Sequence, residues 1–65
     1  MNLTQREIQV ITSVAAGNTQ DEIADLLDIA SFTVNAHLDK IREKLNAKNT
    51  VNAVAIAFQK RIITI

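Results

Sequence analysis

Few side chains in this sequence could perform catalysis or bind a metal. Its 65 residues include one histidine, His37, and no cysteine, so the partners of a zinc site are missing. Glu7 and Glu22 are candidate acid–base groups, but each lies three residues after a threonine, the spacing of a helix capping box. No nucleophile lies beside a base, and no glycine-rich phosphate loop occurs. We therefore predict that the chain is not an enzyme and uses no cofactor, metal or small-molecule ligand.

The remaining chemistry is hydrogen bonding and charge, concentrated in residues 19–45. This segment, TQDEIADLLDIASFTVNAHLDKIREKL, predicts a short helix, a tight turn and a longer amphipathic helix. Such a helix-turn-helix is the device that sets its second helix into the DNA major groove. Residues 1–39 carry a net charge of −5 and residues 40–65 a net charge of +5. That asymmetry fits contact of one face with a polyanion, and the alternative is a dipolar surface that only aids solubility.

Four helices must position these side chains. Hydrophobic content is 48%, with no proline and one glycine, which favours an all-α fold of one domain over residues 1–65. Capping boxes predict helix one from Thr4 to about Ala16 and helix two from Thr19, separated by a left-handed Gly17. The predicted apolar stripes are Ile8, Val10, Ile11 and Val14 in helix one; Ile23, Leu26 and Leu27 in helix two; and Val34, Leu38, Ile41 and Leu45 in helix three.

The ends of helix three and the turn before it are also predicted. Ile29 should point inward from the turn, and Ser31 should cap helix three in place of Ala30. Phe32 lies off the apolar stripe; it could contact the methyl group of a base, but we expect it to pack near the turn. His37 is expected to pack locally, and Asn46 to end the helix.

Helix four is predicted from Asn49 or Thr50 to about Arg61, and residues 53–58 are apolar without interruption. One stripe, expected to face the core, is Val51, Val54, Ala55, Phe58 and Ile62. The other stripe is predicted to form a symmetric dimer contact and consists of Ala53, Ile56, Ala57 and Lys60. The alternative is an ordinary core helix whose alanines face water. The tail at residues 62–65 is expected to fold back onto the body.

At the level of motifs, the chain resembles the LuxR-type (GerE-like) helix-turn-helix domains. The string Leu3-Thr4-Gln5-Arg6-Glu7 matches the opening of the family pattern, and Gly17-Asn18-Thr19-Gln20-Asp21-Glu22-Ile23-Ala24 matches its second segment. The third segment is matched by Leu27-Asp28-Ile29 followed by Thr33-Val34-Asn35-Ala36-His37. Lys44-Leu45 and the stretch from Asn49 to Ile63 match the end of helix three and the fourth helix. The resemblance covers nearly the whole chain without a gap.

This resemblance implies a bacterial transcription regulator that binds double-stranded DNA as a homodimer. Helix three would enter the major groove, and helix four would supply the dimer contact. In relatives the domain usually ends a longer protein, although free-standing versions exist. The Thr-Val-Asn-x-His-Leu string resembles the quorum-sensing branch. Because no signal peptide or apolar run of about 20 residues is visible, we expect a cytoplasmic location at the bacterial nucleoid.

Candidate site residues follow from the same resemblance. Base-reading positions fall on Asn35, Ala36 and Asp39. Phosphate-contacting positions fall near Thr19, Thr33, Lys40, Lys48, Asn49 and Thr50, and we add Ser31 and Lys44 as further phosphate candidates. Many relatives carry Lys or Arg at the positions of Asn35 and Asp39, and Arg at that of Thr50, so this chain should bind DNA less tightly than they do.

Other readings of the same residues remain open. The acidic Asp39 and the neutral total charge are compatible with a protein-interaction module that heterodimerises with a DNA-binding relative and inhibits it. A sigma-factor promoter-binding region shares the three-helix core, but the fourth helix argues against it.

Overall fold

A computed structural model describes residues 2–64, and within this range the chain forms four helices and no strand. These are α1 (Gln5–Ala15), α2 (Gln20–Leu27), α3 (Ser31–Leu45) and α4 (Thr50–Gln59). The predicted all-α fold of four helices is confirmed. None of the four combines the length and the apolar character that crossing a membrane requires.

The starts of α1 and α2 are the capping boxes that the sequence predicts. Thr4 Oγ1 accepts from the Glu7 N–H at 3.1 Å, and Glu7 Oε1 accepts from the Thr4 N–H at 2.8 Å. Thr19 and Glu22 repeat the arrangement at 3.2 and 2.7 Å. Between the two helices Gly17 has a φ of +97°, a conformation that a residue with a Cβ rarely adopts. Local hydrogen bonds therefore set both helix starts.

The start of α3 differs from the prediction. Ala30 is the N-cap and has no side chain that can accept a hydrogen bond, while Ser31 is already the first helical residue. The prediction that Ser31 caps the helix is wrong, because its hydroxyl is used elsewhere: it donates to Asp21 Oδ1 at 2.8 Å. The end of α3 is confirmed at Asn46, which has a φ of 54°. Of the two candidate caps for α4, the structure has Asn49, whose side chain accepts from the Asn52 N–H at 2.7 Å.

The core lies where α1, α2 and α4 pack around α3. All four residues of the predicted α3 stripe, Val34, Leu38, Ile41 and Leu45, are buried. In α2 the prediction is wrong for Leu26, which is 65% exposed. Successive helical residues are rotated by about 100°, so with Ile23 and Ala24 facing α3 the side chain of Leu26 points away from it. Ile29 packs against the core from the turn, as predicted.

Helix α4 is rotated relative to the prediction: Val54, Phe58 and Ile62 of the first stripe pack against the core as predicted, but Val51 and Ala55 do not. Ala53 and Ala57 are buried in the core, whereas Val51 is 80% exposed and Ala55 is also exposed. Small side chains at a helix contact permit a close approach of the backbones, which favours an inward face made of alanines. The predicted dimer contact therefore cannot include Ala53 or Ala57, and Ile56 is itself half-buried against the core.

The end of the chain folds back onto the body. Helix α4 ends at Gln59, two residues before the predicted Arg61, and Arg61 has a φ of 59° that reverses the chain. Ile63 is buried and Ile62 packs against the core, which confirms the predicted return of the tail. The last residue of the predicted tail, Ile65, lies outside the described residues.

Candidate nucleic-acid interface

A short turn joins α2 to α3 and holds the two helices at a defined angle. Asp28 adopts the left-handed conformation with a φ of 55°, and the Ile29 N–H donates to the Ala24 carbonyl at 3.0 Å. A second set of bonds joins the helix starts: Gln20 Nε2 donates to the Ser31 carbonyl at 3.0 Å, and the Ser31 hydroxyl donates to Asp21. The first turn of α3 is therefore braced against the first turn of α2.

One side of α3 is exposed along its N-terminal half. Phe32, Asn35, Ala36 and Asp39 are all exposed there, and we call these four residues the α3 outer face. They lie roughly opposite the buried stripe of the same helix, as the helical repeat of about 3.6 residues requires. The three predicted base-reading residues thus share one exposed surface.

Phe32 departs from its prediction. It was expected to pack near the turn, but it is 79% exposed. The turn is already filled by Ile29, which takes the inward position. The spacing of Phe32 from the buried residues Val34 and Leu38 is the sequence signal that places it outside, because it falls on their opposite side.

The carboxylate of Asp39 is paired within the chain. Arg42, one turn further along α3, forms an ion pair with Asp39 Oδ1 and also donates to Thr50 Oγ1 at 2.9 Å. The positive guanidinium compensates the acidic charge that Asp39 brings to the outer face. The same Arg42 ties the start of α4 to the last turn of α3. Sequence reasoning missed this bridge, although the i,i+3 spacing of Asp39 and Arg42 is a pairing signal.

The predicted phosphate-contacting residues fall into groups of different exposure. Thr19, Lys40, Lys48 and Asn49 are exposed; Ser31, Thr33 and Thr50 are half-buried. The Ser31 hydroxyl is engaged by α2 and the Thr50 hydroxyl by Arg42, so both already have partners within the chain. The α2–α3 brace holds Ser31 beside Gln20, the residue that follows Thr19, and Arg42 holds Thr50 beside α3.

Lys44 is the exception among these residues. Its ammonium donates to Glu7 Oε1 at 2.7 Å, and the side chain is only 20% exposed. It therefore faces α1 and is held there, so the predicted phosphate contact of Lys44 is not available in this arrangement. Sequence reasoning could not find this partner, because 37 positions separate the two residues.

Glu7 is the buried charged residue of the described chain. Burial raises the pKa of Glu7, but the hydrogen bond from Lys44, the hydrogen bond from the Thr4 N–H and the charge of Lys44 outweigh it, so the pKa lies below its ordinary value. Glu7 is therefore an anion at neutral pH with a structural role, as its capping position predicts. Across residues 2–64 no group of three or more metal-ligating side chains comes together.

The sequence is similar to those of known bacterial regulatory proteins. The model of the GerE family, described as bacterial regulatory proteins of the luxR family, matches residues 1–57. The chain is 43% identical over 61 residues to the HTH-type quorum sensing-dependent transcriptional regulator VjbR of Brucella ovis. It is 36% identical over 59 residues to the nitrate/nitrite response regulator protein NarP of Escherichia coli. These stretches are 94% and 91% of this chain, but only 24% and 27% of the relatives, so the chain spans about a quarter of their length.

A solved structure shares the fold. The response regulator ChrA of a haem-sensing two-component system superposes with a TM-score of 0.92 and 33% sequence identity. The match covers 97% of this chain and 31% of that one. The family resemblance inferred from the motifs is thereby confirmed. The prediction that the chain is not an enzyme agrees with relatives that are transcriptional regulators.

Proposed function

Because this chain belongs to the luxR family of bacterial regulatory proteins, a family of DNA-binding transcription regulators, we propose that it binds double-stranded DNA as a symmetric dimer and inserts α3 into the major groove. The observation that carries the proposal is the α3 outer face. It is exposed on a helix whose other side is buried and whose two ends are braced by α2 and α4. A recognition helix must be rigid and must present its outer side chains to base edges.

The side chains of the outer face suit the major groove. Asn35 can form two hydrogen bonds with adenine, and Ala36 can contact the methyl group of thymine. Asp39 Oδ1 is held by Arg42, which orients the carboxylate, and an aspartate can accept from the amino group of cytosine. We therefore assign base reading to Asn35, Ala36 and Asp39.

Phosphate contacts are assigned to both ends of α3. Thr19 and Thr33 lie near its start, where the N-cap Ala30 leaves backbone N–H groups without a side-chain partner, and such groups can hold phosphate oxygens. Lys40 lies further along α3, and Lys48 and Asn49 follow its C-terminal end; all three side chains are exposed. Lys40 and Lys48 of each protomer give four phosphate-contacting lysines in a dimer, so log K should change with log salt with a slope of about −3.6. Affinity should then fall about 150-fold between roughly 50 and 200 mM salt.

The dimer contact is assigned to the outward side of α4. Val51 and Ala55 are exposed there, and Val54 and Phe58 are half-buried beside them. A helix of ten residues is about 15 Å long, so an interface built on α4 alone is small, and we expect two half-sites on DNA to strengthen it.

The substitution Val51→Glu, which places a charge on this surface, tests the dimer contact. Leu26→Glu is the matched control because Leu26 is an exposed apolar residue on another helix. Val51→Glu should abolish self-association in sedimentation and weaken binding to a two-half-site duplex, while Leu26→Glu should do neither. Unchanged sedimentation and unchanged binding of Val51→Glu would refute the α4 dimer.

The family membership also supports proposals about where the chain acts in the cell and which branch of the family it belongs to. A chain that binds the bacterial chromosome acts in the cytoplasm at the nucleoid, and in this proposal residues 1–65 belong to one DNA-binding domain. VjbR supports placement in the quorum-sensing branch, while two response regulators match the chain as well.

An NMR titration of the chain with a random-sequence duplex at about 50 and 200 mM salt tests DNA binding. Salt-sensitive shifts of Thr19, the α3 outer face and residues 48–50 are expected. Unchanged spectra at both salt concentrations would refute the proposal and favour the interaction module that inhibits a DNA-binding relative.

A further inference from the structure

Three large hydrophobic side chains are exposed in the described part of the chain: Leu26, Phe32 and Val51. A single exposed apolar residue is common on protein surfaces, so exposure alone indicates nothing. Position separates the three. Leu26 lies on α2 and Val51 lies on the outward side of α4, but Phe32 lies on α3, on the surface that carries the base-reading residues.

Phe32 occupies the middle of that surface. With a rotation of about 100° per residue, Phe32, Ala36 and Asp39 project within about 60° of one another. Val34 and Ile41, both fully buried, project to the opposite side. Phe32 is also the second residue of α3, and the N-terminal residues of a recognition helix are those that reach base edges.

The backbone that carries Phe32 is held in place by its neighbours. Ser31, immediately before it, donates to Asp21 at 2.8 Å and accepts from Gln20 at 3.0 Å through its carbonyl. The Thr33 N–H, immediately after it, donates to the Ala30 carbonyl at 3.0 Å. The ring is therefore presented from a fixed first turn, which lowers the conformational entropy lost when it meets a ligand.

We infer that Phe32 is a further specificity-determining residue, whose ring contacts the 5-methyl group of a thymine in the major groove. This inference rests on the proposed insertion of α3. A phenyl ring has no hydrogen-bonding group, and the thymine methyl is the one apolar group that base pairs present in the major groove. The contact favours thymine over cytosine and over uracil, and it adds an apolar reader to Asn35, Ala36 and Asp39.

Replacement of thymine by uracil removes that methyl group alone and so tests the contact atom by atom. A preferred duplex is first selected with the wild-type chain from a random library, and each thymine of one half-site is then replaced by deoxyuridine in turn. Wild-type affinity should fall about fourfold at the thymine that Phe32 contacts, the value of one buried methyl-sized group. At that position Phe32→Ala should bind the thymine and uracil duplexes equally and Phe32→Leu should retain part of the preference, whereas a preference that comes from Ala36 at another thymine should persist in both variants.

Leu26→Ala is the matched control, because it removes an exposed apolar side chain outside the outer face. It should keep the full preference for thymine, and thermal melting should show that all three variants stay folded, as expected for exposed positions. If the wild-type chain binds the duplex and Phe32→Ala keeps every thymine preference of the wild type, or if no thymine shows one, the Phe32 inference is refuted while DNA binding stands. If the wild-type chain selects no duplex, both fail.

Discussion

Replacing Glu7 by glutamine removes the charge that fastens α1 to the last turn of α3. In the native chain Glu7 Oε1 accepts from Lys44 Nζ at 2.7 Å and from the Thr4 N–H at 2.8 Å. Its side chain is 5% exposed and that of Lys44 is 20% exposed. Because water screens this pair little, the loss of one charge leaves the other poorly solvated.

The expected cost follows from that geometry. Breaking a buried pair by removing one partner typically costs about 3–5 kcal/mol, and we expect about 2–3 kcal/mol here because Lys44 keeps some contact with water and glutamine can still accept hydrogen bonds. A chain of this length has a total stability of about 3–10 kcal/mol, so the variant should lose a large part of it.

Glu22→Gln is the matched control. Glu22 has the same position in the capping box of α2, where it accepts from the Thr19 N–H at 2.7 Å, but it is exposed. Its replacement should cost about 1 kcal/mol or less, the usual value of a cap. The difference between the two variants measures what Lys44 and burial add.

Urea unfolding followed by circular dichroism is the assay. With a slope of about 1 kcal/mol per molar urea, the midpoint of Glu7→Gln should fall by about 2–3 M, and a double-mutant cycle with Lys44→Met should give a coupling of about 2 kcal/mol. If Glu7→Gln and Glu22→Gln shift the midpoint equally and the coupling is near zero, the pair does not stabilise the fold and the reasoning is refuted.

The pH dependence has a definite sign. Because the pKa of Glu7 is lower in the folded chain than its ordinary value of 4.5, the unfolded chain binds the proton more readily. The stability that Glu7 contributes is therefore fully present above pH 4.5 and is lost as the pH falls through the folded pKa. The stability difference between the wild type and Glu7→Gln should stay constant near neutral pH and should shrink below pH 4.5.

Three further predictions concern α3 and its surroundings. Ala30→Ser should stabilise the fold by about 0.5–1 kcal/mol in the same urea assay, because Ala30 has N-cap geometry without an acceptor; no gain would contradict this. Lys48→Gln should make the salt slope of DNA binding shallower by about 1.8 per dimer, while Lys60→Gln should leave it unchanged; equal slopes would contradict the assignment. Asp39→Asn should lower the preference for one base pair of a selected duplex by about 5- to 150-fold, and an unaltered preference would remove Asp39 from the base-reading set.

Local sequence patterns determined the helices and most of their ends. The Thr-x-x-Glu spacings predicted the starts of α1 and α2, and the positions of Gly17 and Asn46 predicted where α1 and α3 stop. These features depend on hydrogen bonds and backbone angles within a few residues, so the neighbouring residues in the sequence are enough to predict the helix ends. The buried stripe from Val34 to Leu45 could be predicted equally well, because a long helix with apolar residues on one side only has one face that can pack against the core.

The resemblance in motifs likewise identified the family and the candidate base-reading residues from the sequence alone. The structure places Asn35, Ala36 and Asp39 on one exposed side of α3. Their common exposure follows from the α3 stripe, since the residues opposite a buried side face outward. The contact of these residues with bases remains a prediction.

Only the tertiary structure decided how the helices are turned against one another. Apolar residues surround α4, so its pattern allowed two inward faces, and packing in the folded chain selected the one that carries Ala53 and Ala57. In α2, the packing of Ile23 and Ala24 against the core leaves Leu26 exposed to solvent. Ile29 fills the turn, so Phe32 is exposed as well. The Glu7–Lys44 pair joins residues that are distant in sequence. Such choices depend on which surfaces meet in space, and periodicity within one helix contains no information about its neighbour.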